Sequence, residues 1–210
     1  MLLAACGDDG DEEAVSVETS PGSTAAEGLP SCEDVSHAVV FGVFGTLTMG
    51  DGEELAQWTA DPAVEPVVRP GAADVVQAYR ALGYDLLYVT SQEAATAING
   101  QPLDEALTVW LGANGFPIGE ETNVWAWGGE GDASVSLMEE LAGLSSAGTS
   151  IDAGYASDPD VVFPLATGGI PRASLYTVGE AADEETSTSL PDEDLGAHLS
   201  EVESLEPVCE

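Results

Sequence analysis

Apolar residues along this chain gather into short unbroken runs, and between the runs they recur every three or four positions. Ala38 to Phe44 is one such run and Tyr84 to Thr90 another. Runs of this length, rich in β-branched, leucyl and aromatic residues, read as strands buried on both faces. The pattern predicts strands over 38–43, 84–90, 123–127, 149–153 and 173–178. Between them the spacing predicts helices over 71–82, 102–113 and 134–144, and a helical turn over 158–165. Pro70 opens the first helix and Gly83 follows its end, while Asn114-Gly115 closes the second, as helix punctuation requires. Val75, Val76, Tyr79 and Leu82 share one face of the first helix, a face expected to pack on the sheet. Met49 to Val68, with Trp58 and several Pro and Asp residues, reads as a loop, and a short helix is expected near 192–203. Strands alternating with helices imply a mainly parallel, five-stranded sheet covered on both faces, an α/β three-layer sandwich. The organisation expected is a leader over 1–30, one α/β domain over 31–179 and an acidic tail over 180–210.

Charge narrows the choice of partners. The 210 residues carry 39 acids against three cations, Arg69, Arg80 and Arg172, for a formal net charge of −36. Such a chain repels nucleic acid and anionic lipid headgroups. Its self-repulsion is weakest at high ionic strength. Adaptation to salt is one reading of the acidity; disordered acidic segments over 7–27 and 180–194 are the other. Leu3-Ala-Ala-Cys6 resembles a bacterial lipobox, whose cysteine becomes the lipid-bearing first residue. No basic region and almost no apolar region precede it, so either the start is truncated or misassigned, or the match is fortuitous. The lipobox reading implies an extracytoplasmic protein held at the membrane through lipidated Cys6, with an acidic Gly/Ser/Thr-rich spacer as tether. Cys32 and Cys209 bracket the domain, and in an exported protein they suggest a disulfide joining its ends; two unpaired thiols are the alternative. With only His37 and His198 to assist, the cysteine spacing matches no zinc pattern.

The strongest chemical signal lies where the first strand ends, at Gly42-Val-Phe44-Gly45-Thr46-Leu-Thr48. It resembles the Asp-x-Asp-Gly-Thr signature of the haloacid dehalogenase (HAD) superfamily, with both aspartates replaced. The resemblance implies that Gly42 stands at the place of the nucleophile, which also binds magnesium, and Phe44 at that of the general acid/base. Glycine has no atom with which to attack, and phenylalanine carries no proton. Pro70 to Ser91, Val109-Trp-Leu-Gly-Ala-Asn-Gly-Phe-Pro117, and Gly154 to Val161 followed by Gly169-Ile-Pro171 are similar, in order and spacing, to the lipin-like branch. That branch includes phosphatidate phosphatases and the C-terminal domain of phosphatidylinositol transfer proteins. The resemblance spans about residues 37–178 and implies a HAD-like Rossmannoid fold with a flap after the first strand and no large cap domain. It places Thr90 and Ser91 at the phosphate-binding motif, with Gln92 for its arginine, and Asp160, beside Asp158, at the metal-binding acid. The family's phosphate-binding lysine has no counterpart, and Arg172 lies in the wrong region to replace it.

What remains is a vestigial phosphate pocket of Gly42, Phe44, Gly45, Thr46, Thr90 and Ser91. Asp158 and Asp160 have two readings, caps of a helix N-terminus or a weak residual cation site. Trp125 and Trp127, two apart on a strand, and Trp58 read either as core or as an aromatic ligand platform. His37 and His198 have no partner that suggests catalysis. The expected function is therefore a catalytically silent, pseudophosphatase-like scaffold or binding module without a cofactor, taking a small molecule or a protein partner. The alternative is a residual magnesium-dependent phosphohydrolase that uses Asp158, or Asp51 from the flap, as base for water attack.

Overall fold

The computed structural model describes residues 35–50, 53–120, 122–179, 186–191 and 194–208. Cys6, Cys32, Cys209 and Asp51 lie outside the described residues. The described chain contains eight strands and six α-helices. Six strands form one sheet: β1 (Ser36–Gly42), β2 (Asp85–Glu93), β5 (Thr122–Trp127), β6 (Thr149–Ala156), β7 (Leu175–Val178) and β8 (Thr188–Leu190). Their spatial order is β5-β2-β1-β6-β7-β8, and every pairing is parallel. The expected count of five is corrected to six. The sixth, Thr188–Leu190, is three residues long, too short and too hydroxyl-rich for an apolar run to reveal it.

Two cores flank the sheet because consecutive side chains of β1 point to opposite faces. Val39 and Phe41 join the packing of α2 (Ala72–Ala81), α3 (Leu103–Ala113) and α6 (Gly196–Val202) on one side. Val40 joins α4 (Ala133–Ser146) and α5 (Pro159–Thr167) on the other. The expected face of α2 is the buried one: Val75, Val76 and Tyr79 lie in the core, with Leu82 packed against it. Helix α2 begins after Gly71, whose φ of +72° places it in the left-handed region. A Cβ there would lie 2.1 Å from the Gly196 backbone nitrogen, so only glycine lets α6 approach this closely. Pro164 sits inside α5 and has no N–H to offer the Asp160 carbonyl. The Ser134 hydroxyl supplies that hydrogen bond instead, at 3.2 Å, and so pins the first turn of α4 to α5.

Two further differences concern the loops. The 49–68 segment contains a helix, α1 (Glu53–Ala60), closed at its base by an antiparallel bridge between Thr48 and Val68. After β2 a two-residue hairpin, β3 (Ala97–Ile98) and β4 (Gln101–Pro102), turns at Asn99-Gly100. Among the described residues no helix is long and apolar enough to cross a membrane.

Candidate functional site

The carboxyl ends of β1, β2 and β6 converge at one edge, where open parallel sheets bind ligands. β1 ends at Gly42 with extended backbone angles (φ −61°, ψ 136°), and the chain then turns so that Thr48 N–H reaches Val43 C=O at 3.2 Å. Gly45 makes this possible with φ +73°. A Cβ on Gly45 would also lie 2.4 Å from Ser157 Oγ. Ser157 fills that space and donates to Phe44 C=O at 3.0 Å, while Thr46 Oγ1 donates to Ser157 Oγ at 3.1 Å.

Behind this loop lies Arg69, 1% exposed. Its Nε donates to Thr46 C=O at 2.8 Å, and its Nη2 to Gly45 C=O at 2.6 Å and Thr48 C=O at 2.9 Å. Its backbone N–H reaches Leu47 C=O at 2.8 Å. Charge-assisted bonds from a planar fork fix the turn more rigidly than neutral ones would. Sequence reasoning missed this residue. The available signal was a rare cation directly before Pro70-Gly71, at the point where the loop returns to the sheet.

Phe44 is buried at 8% exposure and belongs to a core cluster with Leu47, Leu55, Trp58, Ile98 and Leu103. Helix α1 thus sits over the loop with Leu55 and Trp58 turned inward. Glu54 in its first turn accepts from Gly50 N–H at 2.9 Å through Oε1. Its Oε2 is buried with no hydrogen-bond partner, which makes Glu54 the carboxylate of the flap that the described structure places beside the loop.

The remaining site residues do meet at this edge. Thr90, 3% exposed, accepts from Gln92 N–H at 3.1 Å. Ser91 donates to Asp158 Oδ2, tying the end of β2 to the start of α5. The other oxygen of Asp158 accepts Asp160 N–H at 2.9 Å, a helix N-cap. Asp160 turns away and accepts from Ser134 Oγ at 3.2 Å. Both readings of these acids were open in the sequence; the bond from Asp160 N–H makes Asp158 the N-cap of α5, while the carboxylate of Asp160 caps no helix.

A magnesium ion needs near-octahedral oxygen donors. Gly42 and Phe44 offer none from their side chains, both oxygens of Asp158 are engaged, and Asp160 is bonded elsewhere. No three His, Cys, Asp or Glu side chains among the described residues converge to hold a metal. Glu54 Oε2 is unengaged, but one carboxylate oxygen does not supply the donor set the ion needs.

The tryptophans do not form a single platform. Trp58 is core, at 4% exposure. Trp125 packs against the α4–α5 core, and Trp127 Nε1 donates to Glu130 C=O at 3.3 Å. Arg172 lies at the other end of the strands, its Nε donating to Ser187 C=O at 3.3 Å. The histidines have partners that the sequence did not disclose. His37 Nδ1 lies 2.6 Å from Asp152 Oδ2. His198 is buried, with Nε2 2.9 Å from the Tyr155 hydroxyl.

With the turn, the flap and the crevice in place, comparison with known proteins is informative. The family described as "PITM 1-3, LNS2 domain" matches residues 39–179. This chain belongs to that family. The LNS2 domain is lipin-like and has the HAD fold, which assigns the chain to the HAD superfamily. Among solved structures, the chain is similar to an apo phosphoserine phosphatase at 12% identity and TM-score 0.51, covering 79% of this chain and 98% of that one. It is also similar to a candidate HAD-like phosphatase from Mesorhizobium loti at 18% identity and TM-score 0.53, covering 82% and 88% respectively. At these identities the likeness is one of fold. A comparison with curated protein sequences finds no match.

Proposed function

We propose that this LNS2 domain is catalytically silent and acts as a scaffold or binding module on an exported lipoprotein. One observation carries the reading: the two carboxylate positions of the superfamily reaction hold Gly42 and a core-packed Phe44. A Cβ on Gly42 would already lie 3.1 Å from Thr46 Oγ1 and 3.3 Å from Tyr155 C=O, so the crevice leaves little room for a longer side chain. Where catalytic residues act as a unit, loss of the nucleophile alone lowers the rate by on the order of 10⁶. The hydrogen bonds of Asp158 and Asp160, and the absence of lysine from the sequence, support the same reading. Attachment through lipidated Cys6 follows from the lipobox-like Leu3-Ala-Ala-Cys6 and the acidic spacer behind it.

The test has two arms. Purified protein is assayed against phosphatidate and p-nitrophenyl phosphate with magnesium, at low and high salt; no turnover above background is expected. Turnover that disappears in Asp160→Ala or Glu54→Gln would reject silence in favour of a residual phosphohydrolase. In the second arm the full-length gene with its native upstream sequence is expressed and labelled with an alkyne fatty acid. Label and membrane-fraction recovery should both vanish in Cys6→Ser, and an unlabelled, fully soluble parent would rule out the anchor.

A further inference from the structure

Opposite the HAD crevice, at the amino ends of the strands, a cavity of about 720 Å³ opens between α4, α5 and the start of β6. Its size falls within the range of small-molecule pockets, about 300–1,000 Å³. The floor is apolar, formed by Leu141, Ile151, Leu165 and Ile170, and the rim carries hydroxyls such as Ser145 and Thr149. None of its fourteen lining residues is charged, although the chain carries 39 acids. Carboxylates cover much of this protein, so an uncharged concavity at its surface is a distinct chemical feature.

Electrostatics select the ligand. Helices α4 and α5 both run against the strands, so both carboxyl termini, at Ser146 and Thr167, open onto this cavity. A helix carboxyl terminus carries roughly half a negative charge, and neither helix has a basic residue in its last turn. Ser150 on the wall donates at 2.5 Å to Asp152, which places a carboxylate one hydrogen bond behind the lining. His37 shares that carboxylate from β1. Gly168 and Gly169, at the end of α5, also line the cavity.

We infer that this cavity binds a cationic amphiphile, its aliphatic or aromatic body on the apolar floor and its ammonium head at the two helix ends. The inference is independent of the silent crevice. It is tested on the full chain in about 1 M NaCl, where a Debye length of about 3 Å suppresses loose attraction to the acidic surface. The probes are octyltrimethylammonium, octanol and octanoate, each below its micellar concentration, followed by calorimetry and amide chemical shifts. One octyltrimethylammonium should bind per chain, about tenfold tighter than octanol, and octanoate more weakly than either. Shift changes should centre on residues 138–151 and 164–170. Ala142 is an exposed lining residue, so Ala142→Trp should fill the cavity without unfolding the chain and abolish binding. Ser146→Lys places an ammonium at the end of α4 and should reverse the order, octanoate then binding best. Saturable binding absent for all three probes, equal affinity for cation and anion, or binding unchanged in both variants would overturn the inference.

Discussion

The guanidinium of Arg69 gathers three carbonyls of the first loop, from Gly45, Thr46 and Thr48, around one buried charge. Replacing it with methionine keeps the volume and strands those carbonyls away from water, each at about 1–3 kcal/mol. Arg69→Met is expected to destabilise the fold by about 3–5 kcal/mol in urea unfolding, at the upper end of single substitutions. Lysine should rescue little of this, because a single ammonium cannot reproduce the fork. Equal stability of the arginine and methionine proteins would show that the loop holds its shape unaided. At this scale the sequence was partly legible. Gly42 and Phe44 could be read from the motif because strand end and signature coincide. Arg69 and Ser157 could not, since they reach the loop from 21 or more positions away.

Helix α6, expected near 192–203, spans Gly196–Val202. It buries His198 and Val202 against Tyr155, Tyr176 and the α2 side of the sheet. The polar groups within that packing form a chain: Tyr79 and Tyr155 hydroxyls 2.9 Å apart, His198 Nε2 2.9 Å beyond, and Glu201 3.2 Å from His198 Nδ1. Burial pushes the Tyr155 hydroxyl well above the ordinary tyrosine range. Burial also lowers the His198 pKa below its usual 6.5, with Glu201 pulling the other way. A histidine depressed in the fold takes its proton more readily when unfolded. Its contribution is therefore complete above about pH 6.5 and is lost as pH falls from there through the folded value. The midpoint of thermal unfolding should drop between pH 7 and 5.5, and less steeply in His198→Gln. Parallel profiles for the two proteins would remove His198 as the cause. Two histidines in a chain suggest nothing by themselves; Glu201 is a local partner of His198, but Tyr155 and Tyr176 come from β6 and β7, which only folding brings to it.

At the scale of the whole molecule, charge sets the stability. A formal −36 on 210 residues repels itself, and added salt screens that repulsion. The unfolding midpoint is expected to rise by roughly 5–10 °C from low to molar NaCl, and a flat or falling profile would contradict salt adaptation. The same experiment bears on the cysteines. Val208 N–H bonds to Leu82 C=O at 3.0 Å, close to Asp85, which pairs with Ala38 on β1. Val208, one position from Cys209, thus lies beside the start of β2, the strand that pairs with β1, and Val35, the first described residue, is three positions from Cys32. If that disulfide forms, a reductant should lower the midpoint, and no change would argue for free thiols.

Hydrophobic periodicity alone determined the alternating strands and helices, and the motif residues determined the family, because both are local properties of adjacent side chains. The sequence by itself also determined that the end of the first strand carries Gly42 and Phe44 and no carboxylate at either place. Tertiary structure decided the rest. It added β8, whose three residues become a strand only beside β7. It turned the flap into a helix whose Trp58 joins the core cluster that also holds Phe44. It made Asp158 a cap, and it opened a cavity between two helix ends. Each of these depends on groups far apart in the chain meeting within hydrogen-bond or van der Waals distance, and no local pattern of residues records which distant groups will meet.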